Sequence, residues 1–343
     1  MTLTEKIRTL CMLNAPSGFE DEAFSAIKEL LKPFADEIKT DPMGNLIAVR
    51  HCGKTGAPTL LLDAHMDEIG FIVTGYDKGF LRFDTLGGVD PRMLPACEVR
   101  ILAETPLYGV IDTMPPHILS AEEMDKTVER DKLFIDAGLT QEQAEKLVPI
   151  GTPAVFASGC TMLGEKQLCS KTLDDRACAA ILAEVMERLT GKDLSVDLCC
   201  LISTQEELGM RGAKVGVFGV DPDYAVAVDV THAHTPDAKK DETLEMNKGP
   251  AIGVGPNMNR NLTKAVFDCA KRHDIPCQVE VIPGCSGTNG WVFQVSREGV
   301  PTALVSLPIK YMHSPVETMN IDDAQSVCDL LTAFAEDFGE VLA

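Results

Sequence analysis

Helix-like and strand-like segments alternate regularly from residue 174 to the C-terminal end of the sequence. A helical pattern follows residue 174, and an apolar run at 196–203 has the length of a buried strand. The later segments are predicted strands at 224–228, 277–282 and 301–306 and predicted helices at 260–272, 287–296 and from residue 322. Alternation of this kind predicts an α/β fold with a mostly parallel sheet and helices on both faces.

The N-terminal segment adds two helices and one strand to this pattern. Amphipathic helices are predicted at 2–13 and 18–34, and Ser17 with Glu20 matches a capping box at the start of the second. The apolar run at 59–62 predicts a buried strand.

Residues 70–160 differ from the rest of the sequence in composition and in hydrophobic pattern. They contain short strand-like runs, many Gly and Pro residues and one convincing helix at about 140–148. We therefore expect one α/β domain, made of residues 1–69 and 161–343, that is interrupted by a small β-rich domain at 70–160.

The charge composition excludes several classes of partner. The sequence has 52 acidic against 31 basic residues, for a formal net charge of −21. Nucleic acids and anionic membranes bind basic surfaces, so neither is expected as a partner. No apolar run approaches the roughly 18 residues of a membrane span, and the first residues do not resemble a secretory signal.

The cysteines indicate the cellular compartment. None of the 12 forms a C-x-x-C pair, and Cys199 and Cys200 are adjacent within an apolar run. This usage is typical of small buried side chains in a reducing cytosol, not of a disulfide framework or a structural zinc site. We therefore expect a cytoplasmic protein.

Polar residues at predicted strand ends and helix starts are the candidates for chemistry. The carboxyl ends of strands in an open α/β sheet meet at one edge, where such folds bind ligands. Two imidazoles and several carboxylates, without a thiolate, are typical of a site for divalent metal ions. The residues at these positions are His65, Asp67, Asp174, Asp175, Arg176, Glu206, Glu207, Asp229 and His313.

Each candidate also has an ordinary structural explanation. Asp174 has the position of a helix cap, and the adjacent Glu206 and Glu207 fit a solvated turn. Agreement among five segment ends is what favours a metal site. Four other residues receive simple assignments: His232 and His234 to a polar loop near the site, His117 to a turn, and Trp291 to the core.

Taken in order, the segments around these candidates resemble the tetrahedral (TET) aminopeptidases, a family that includes glutamyl, leucyl and deblocking aminopeptidases. The segments are "AHMDEIG", "KTLDDRACAA", "STQEELGMRGA", "AVAVDVTHAHTPD", "GCSGTNG" and "YMHSPVE", with "LGGVDPRMLP" and "PPHILS" inside 70–160. The resemblance therefore runs nearly from end to end. It implies a cytosolic aminopeptidase that removes N-terminal residues from short peptides with two divalent ions, zinc first and cobalt or manganese as alternatives.

The resemblance also implies a role for each candidate. Co-catalytic hydrolysis requires carboxylates that fix the ions and one that accepts a proton from the attacking water, which would explain two adjacent glutamates. His65 and Asp229 would bind one ion, Glu207 and His313 would bind the other, and Asp174 would bridge the two ions. Asp67 would support the ring of His65, and Glu206 would act as the general base.

Two positions depart from the family pattern. Asn289 stands where the family usually has Asp, and Lys310 stands where Arg commonly precedes Tyr311. Because both flank the expected substrate pocket, they affect the expected specificity more than metal binding.

The resemblance further implies the fold and the assembly. The expected fold is a zinc-peptidase-like α/β sandwich with an inserted small β-barrel of PDZ-like type at 70–160. The insert would build dimers, and the dimers would form a tetrahedral dodecamer whose active sites face an inner chamber. Such a chamber would restrict the substrates to short or unfolded peptides.

Two other classes of function remain as alternatives. Paired carboxylates also hydrolyse glycosides, which would make the protein a metal-independent, endoglucanase-like hydrolase. The low aromatic content of 5% and the histidines speak against that alternative. A non-catalytic scaffold is the second alternative, and the intact set of ligand positions speaks against it.

Overall fold

The computed structural model of the protein describes residues 1–120, 126–236 and 238–341. It is a mixed α/β structure with one large sheet and a separate closed barrel. The helices are α1 Leu3–Cys11, α2 Asp21–Leu31, α3 Gln141–Leu147, α4 Leu173–Arg188, α5 Arg211–Val220, α6 Arg260–Arg272, α7 Gly290–Phe293, α8 Ile321–Glu336 and α9 Phe338–Val341.

The strands divide between the sheet and the barrel. The strands of the sheet are β1 Glu37–Thr40, β2 Leu46–Arg50, β3 Thr59–His65, β10 Thr161–Leu163, β11 Gln167–Ser170, β12 Asp197–Ser203, β13 Tyr224–His232, β14 Ala251–Val254, β15 Gln278–Val281, β16 Thr302–Lys310 and β17 Glu317–Asn320. The strands of the barrel are β4 Gly70–Asp77, β5 Phe80–Leu86, β6 Glu98–Ile101, β7 Leu107–Asp112, β8 Phe134–Asp136 and β9 Pro153–Phe156.

The centre of the large sheet is parallel, and most of its outer strand pairs are antiparallel. Strands run in the order β1-β2-β12-β3-β13-β16-β17-β11-β10, with β14 and β15 attached beside β16. The pairs β12–β3, β3–β13 and β13–β16 are parallel, whereas β2–β12 and β16–β17 are antiparallel. The predicted mostly parallel sheet is therefore wrong at the edges, because short connections such as the one between β1 and β2 join strands in antiparallel order.

Helices cover both faces of this sheet. Helices α1, α2, α4, α6 and α8 enclose the larger apolar core on one face, and α5 and α7 pack on the other face. Trp291, expected in the core, lies in the single turn of α7 with 41% of its surface exposed, while Phe293 of the same turn is buried. Gly290, Val292 and Phe293 of this turn are buried, so Trp291 is its one residue that faces outward.

The start of α2 differs from the prediction. The helix begins at Asp21, and no side chain caps its first turn. Instead, the hydroxyl of Ser17 donates a hydrogen bond to the carboxylate of Asp67, next to the end of β3. The expected capping box is therefore wrong, because Ser17 bonds to a carboxylate of another element.

The segment expected to be β-rich forms a closed barrel. Its strands follow the order β4-β5-β8-β7-β6-β9 around an apolar interior that includes Phe71, Phe83 and Phe156. The expected helix of this segment is α3. The small β-barrel is thus confirmed, whereas its likeness to PDZ domains and its role as a separate dimer-building domain stay predictions.

Two further features bear on the sequence analysis. All 12 cysteines are free thiols, and Cys199 and Cys200 are buried in β12. Within the described ranges, no helix combines the length and the apolar character needed to cross a membrane.

Candidate active site

Three neighbouring parallel strands bring the candidate residues to one edge of the sheet. Strand β3 ends at His65, which is buried, and β12 ends three residues before Glu206. Asp229 lies inside β13, which continues to His232, beyond the predicted end at residue 228. Because β12, β3 and β13 are adjacent, their carboxyl ends place these side chains together, as open α/β sheets do with their ligand sites.

Asp174 lies between two imidazole rings. Its Oδ1 is 3.0 Å from Nε2 of His65, and its Oδ2 is 3.2 Å from Nε2 of His313. The same His313 nitrogen is 3.2 Å from Oε1 of Glu207. One carboxylate thus faces both histidines, each through a different oxygen.

The donor atoms form three overlapping groups. In each group the possible ligand atoms all lie within 4.8 Å of one another, as a metal ion requires. Carboxylate oxygens and imidazole nitrogens, without thiolates, suit Zn²⁺, Co²⁺ or Mn²⁺. The groups are His65 with Glu206 and Glu207, His65 with Asp175 and Asp229, and Asp174 with Glu207 and His313.

Asp67 supports both His65 and the two glutamates. Its carboxylate accepts hydrogen bonds from the backbone N–H groups of Glu206, at 2.9 Å, and Glu207, at 3.1 Å. Its Oδ1 lies 3.4 Å from Nδ1 of His65, and its backbone carbonyl oxygen lies 3.1 Å from the same nitrogen. A ring held at Nδ1 leaves Nε2 to face Asp174 and a metal ion.

Three other acidic residues belong to the site and received no role from the sequence. Glu317 accepts the backbone N–H of Asp174, at 3.0 Å, and that of His313, at 2.9 Å. Asp175 accepts the backbone N–H of His65 at 3.2 Å, and its Oδ1 is a buried oxygen without a hydrogen-bond partner in the described chain. Asp63 lies under the site on β3.

The sequence did contain signals for two of these residues, Asp175 and Asp63. Asp175 follows Asp174 as Glu207 follows Glu206, and Asp63 interrupts an otherwise apolar run. An acid in a buried strand requires a polar partner, and Asn289 supplies it by donating through Nδ2 to Asp63 at 2.7 Å and to Ser203 at 2.8 Å. Asn289 therefore stabilises the buried carboxyl group of Asp63, which lies beneath the cavity.

The site concentrates buried carboxyl groups, and burial disfavours their charged forms. Burial raises the pKa of Glu206 to about 9, and it raises the pKa of Asp229 to about 8. Burial acts in the opposite direction on His313, but hydrogen bonds to Asp174 and Glu207 outweigh it and raise its pKa to about 12. A bound cation would stabilise the charged forms of Glu206 and Asp229, so the site suits a cation.

The candidate residues open into a cavity of about 430 Å³. Its wall includes Gly88, from the segment that follows β5 of the barrel, and the loop at 286–288. Of the residues singled out in the sequence, the cavity is lined by His65, Asp174, Glu206, Glu207, Asp229, His232 and His313, but not by Asp67, His117, His234, Asn289 or Lys310.

Known proteins share this chain's sequence and fold over most of its length. The family model described as M42 glutamyl aminopeptidase matches residues 44–330. A lysyl aminopeptidase of Pyrococcus furiosus is 39% identical over 94% of this chain and 93% of its own length.

Solved structures agree with the sequence matches. A TET aminopeptidase from a marine sediment archaeon of the Thaumarchaeota superposes with a TM-score of 0.92 at 32% identity, covering 97% of this chain and 96% of its own. A TET peptidase of Pyrococcus horikoshii, which can assemble into a tetrahedron or a large octahedral shell, gives 0.86 at 33% identity, covering 97% and 99%. These matches favour the peptidase over the glycoside hydrolase and the scaffold, and they show that the chain is an aminopeptidase of the M42 glutamyl aminopeptidase family.

Proposed function

We propose that the cavity holds two divalent metal ions and that the protein uses them to remove N-terminal residues from short peptides. The position of Asp174 carries the proposal, because its two oxygens face His65 and His313 at 3.0 and 3.2 Å. A carboxylate between two imidazoles is the arrangement that a bridge between two ions needs. The acidic surroundings support it, since two divalent cations would offset the buried carboxylates.

The ligands divide into two sets around this bridge. His65 and Asp229 would hold one ion, and Glu207 and His313 the other. Zinc is the first choice, with cobalt and manganese as alternatives, because imidazole and oxygen ligands accept all three. Bound ions of this kind supply an acidified water and stabilise negative charge on the oxygens of the reacting bond.

Glu206 is proposed as the general base. Its carboxylate approaches both His65 and Glu207, so it lies beside both sets of ligands without being required in either. There it would accept a proton from the attacking water and deliver it to the leaving amine. Asp67 would hold Glu206 in place through the backbone N–H bond and keep the His65 ring oriented.

The proposal extends to domains and assembly. Residues 1–69 and 161–343 would form the catalytic domain, and 70–160 would join two chains into a dimer. Dimers would build a dodecamer, as supported by the closed shells of the Pyrococcus horikoshii relative. The names of the relatives, glutamyl and lysyl, indicate opposite charges on the preferred N-terminal residue, so the choice depends on this chain's own cavity.

Metal removal tests the proposed centre. Dialysis against a chelator should abolish cleavage of aminoacyl chromogenic substrates, and Zn²⁺, Co²⁺ or Mn²⁺ should restore it. Metal analysis should find about two ions per chain, and calorimetry should show a lower unfolding temperature after chelation, since a ligand that binds only the folded state stabilises it. Full activity in protein shown to be free of metal would contradict the proposal.

A further inference from the structure

One carboxylate in the cavity has no role in the proposed metal centre, either as a ligand or as the general base. Glu280, in β15, lines the cavity together with the candidate metal centre. Among the described residues of the cavity wall, none is Lys or Arg. The unassigned charge of the cavity is therefore negative.

Two hydroxyl groups fix the position of Glu280. Thr231 donates to its Oε1 at 2.5 Å, and Ser306 donates to its Oε2 at 2.7 Å. Each hydroxyl uses one lone pair, so the carboxylate can still accept hydrogen bonds from a ligand. Glu280 is thus held in one orientation by hydroxyl groups, and no Lys or Arg of the described cavity wall neutralises it.

Strand register places this carboxylate beside the proposed metal centre. Ser306 pairs directly with Asp229 across β13 and β16, and Thr231 lies two residues after Asp229 on the same face of β13. Neighbouring strands are about 4.8 Å apart, and two residues of a strand span about 6.6 Å. Glu280 therefore binds hydroxyls within one side-chain length of the place where the scissile bond would be held.

We propose that Glu280 recognises the cationic side chain of an N-terminal Lys or Arg residue. This inference rests on the proposed function, because it places the first residue of the peptide against the metal centre. The charges of two divalent ions would offset Asp174, Glu206, Glu207 and Asp229, which leaves Glu280 as the unbalanced charge of the cavity.

The dimensions and the lining of the cavity suit such a side chain. The four-carbon stem of Lys spans a distance comparable with two strand residues, which brings its ammonium group from the reacting bond to Glu280. Met210 and Met312 line the same cavity and offer apolar contacts for the stem. An N-terminal Glu would instead bring two like charges together, and an N-terminal Leu would leave Glu280 desolvated without a partner.

Aminoacyl chromogenic substrates with Lys, Arg, Leu and Glu test the assignment. The metal-loaded protein should show its highest kcat/KM with Lys and Arg. Glu280→Gln keeps the shape but removes the charge, so it should lower kcat/KM for Lys and Arg by about tenfold to a hundredfold, the worth of a charged hydrogen bond. The value for Leu should stay the same or rise, because Glu280 has no partner in that substrate. Glu298→Gln, at an exposed acid outside the cavity, should leave the preference unchanged.

The other outcomes separate this inference from the proposed function. An equal loss on all four substrates would overturn the inference, because Glu280 would then bind the α-amino group that every substrate carries. A preference of the parent protein for Leu or Glu would also overturn it while leaving the metal-dependent aminopeptidase intact. Calorimetry with a lysyl dipeptide gives a readout without turnover. Binding that depends on Glu280, in a metal-loaded protein that cleaves no substrate, would support the inference and overturn the proposed reaction.

Discussion

Two adjacent glutamates follow the end of β12, and the structure gives them different surroundings. Asp67 accepts both of their backbone N–H groups, but only Glu207 lies 3.2 Å from the ring of His313. The backbone after β12 is no longer a regular strand, so neighbouring side chains need not point to opposite faces. Both carboxylates can therefore reach the same cavity.

We predict that Glu206→Gln and Glu207→Gln fail in different ways. Glu206→Gln should lower kcat by about 10²–10⁴ because it removes a proton acceptor, while metal content stays near that of the parent. Glu207→Gln replaces a charged ligand with a neutral amide, so one ion should bind more weakly and excess metal should recover part of the activity. Metal analysis and turnover on both variants make the comparison.

The reverse pattern would contradict these assignments. If Glu206→Gln lost metal and Glu207→Gln kept it, Glu206 would be the metal ligand and Glu207 the general base. If neither substitution changed turnover, the catalytic centre would lie elsewhere.

Residue by residue, the sequence identified the candidates that lie at segment ends and missed Glu317, which supports two of them. His65, Asp174, Glu207 and His313 are visible as polar residues at segment ends. Glu317 is not, because its role consists of accepting backbone N–H groups from two distant segments. Such contacts exist only after folding has brought those segments together.

At the level of elements, helix α5 must approach the end of β12 closely for the glutamates to keep their position. Gly212, in its first turn, donates its N–H to the carbonyl oxygen of Thr204 at 3.0 Å. A Cβ at this position would lie 2.2 Å from that oxygen and 2.4 Å from Oδ1 of Asn45. Only glycine therefore fits at this contact.

Gly212→Ala should displace α5 and the segment that carries Glu206. We expect a loss of about 1–3 kcal/mol in the free energy of unfolding, as for an overpacked core, together with reduced kcat. Gly219→Ala on the same helix is the matched control, because no atom lies within 4 Å of its added Cβ. That change should stabilise the protein by about 0.5–1 kcal/mol. Denaturant unfolding and turnover measure both, and similar stability for the two variants would contradict the argument.

Element boundaries were predictable where apolar runs end and not where strands continue through polar residues. Helix α6 occupies the predicted range, whereas β16 continues from the apolar run to Lys310 and β13 continues to His232. These extensions pair with each other in register, so partner strands maintain them. The local sequence pattern does not show which strands will pair, so it cannot predict these extensions.

At the scale of the whole molecule, we propose that the barrel joins one chain to another. Short strand-like runs with many Gly and Pro residues predicted a β-rich insert, but closure of its strands depends on pairings between distant residues such as Val99 with Phe156. Large apolar side chains lie on the outside of this segment: Ile118 is 66% exposed, Ile150 64% and Tyr108 57%. Apolar side chains that form a contiguous exposed patch mark surfaces that another protein covers, and we propose that these three belong to such a surface.

We therefore predict that the barrel segment is needed for assembly. Light scattering of the metal-loaded protein at micromolar concentration should give a mass near that of about twelve chains, since closed symmetric assemblies are the usual form of soluble oligomers. Replacing Tyr108 and Ile150 together by Glu should produce a smaller species, because charges would be buried in the contact. Met12→Glu, at an exposed apolar residue outside the barrel, serves as the control and should retain the parent mass. Circular dichroism must show that the variants are folded. A monomeric parent protein, or barrel variants with unchanged mass, would contradict assembly through this segment.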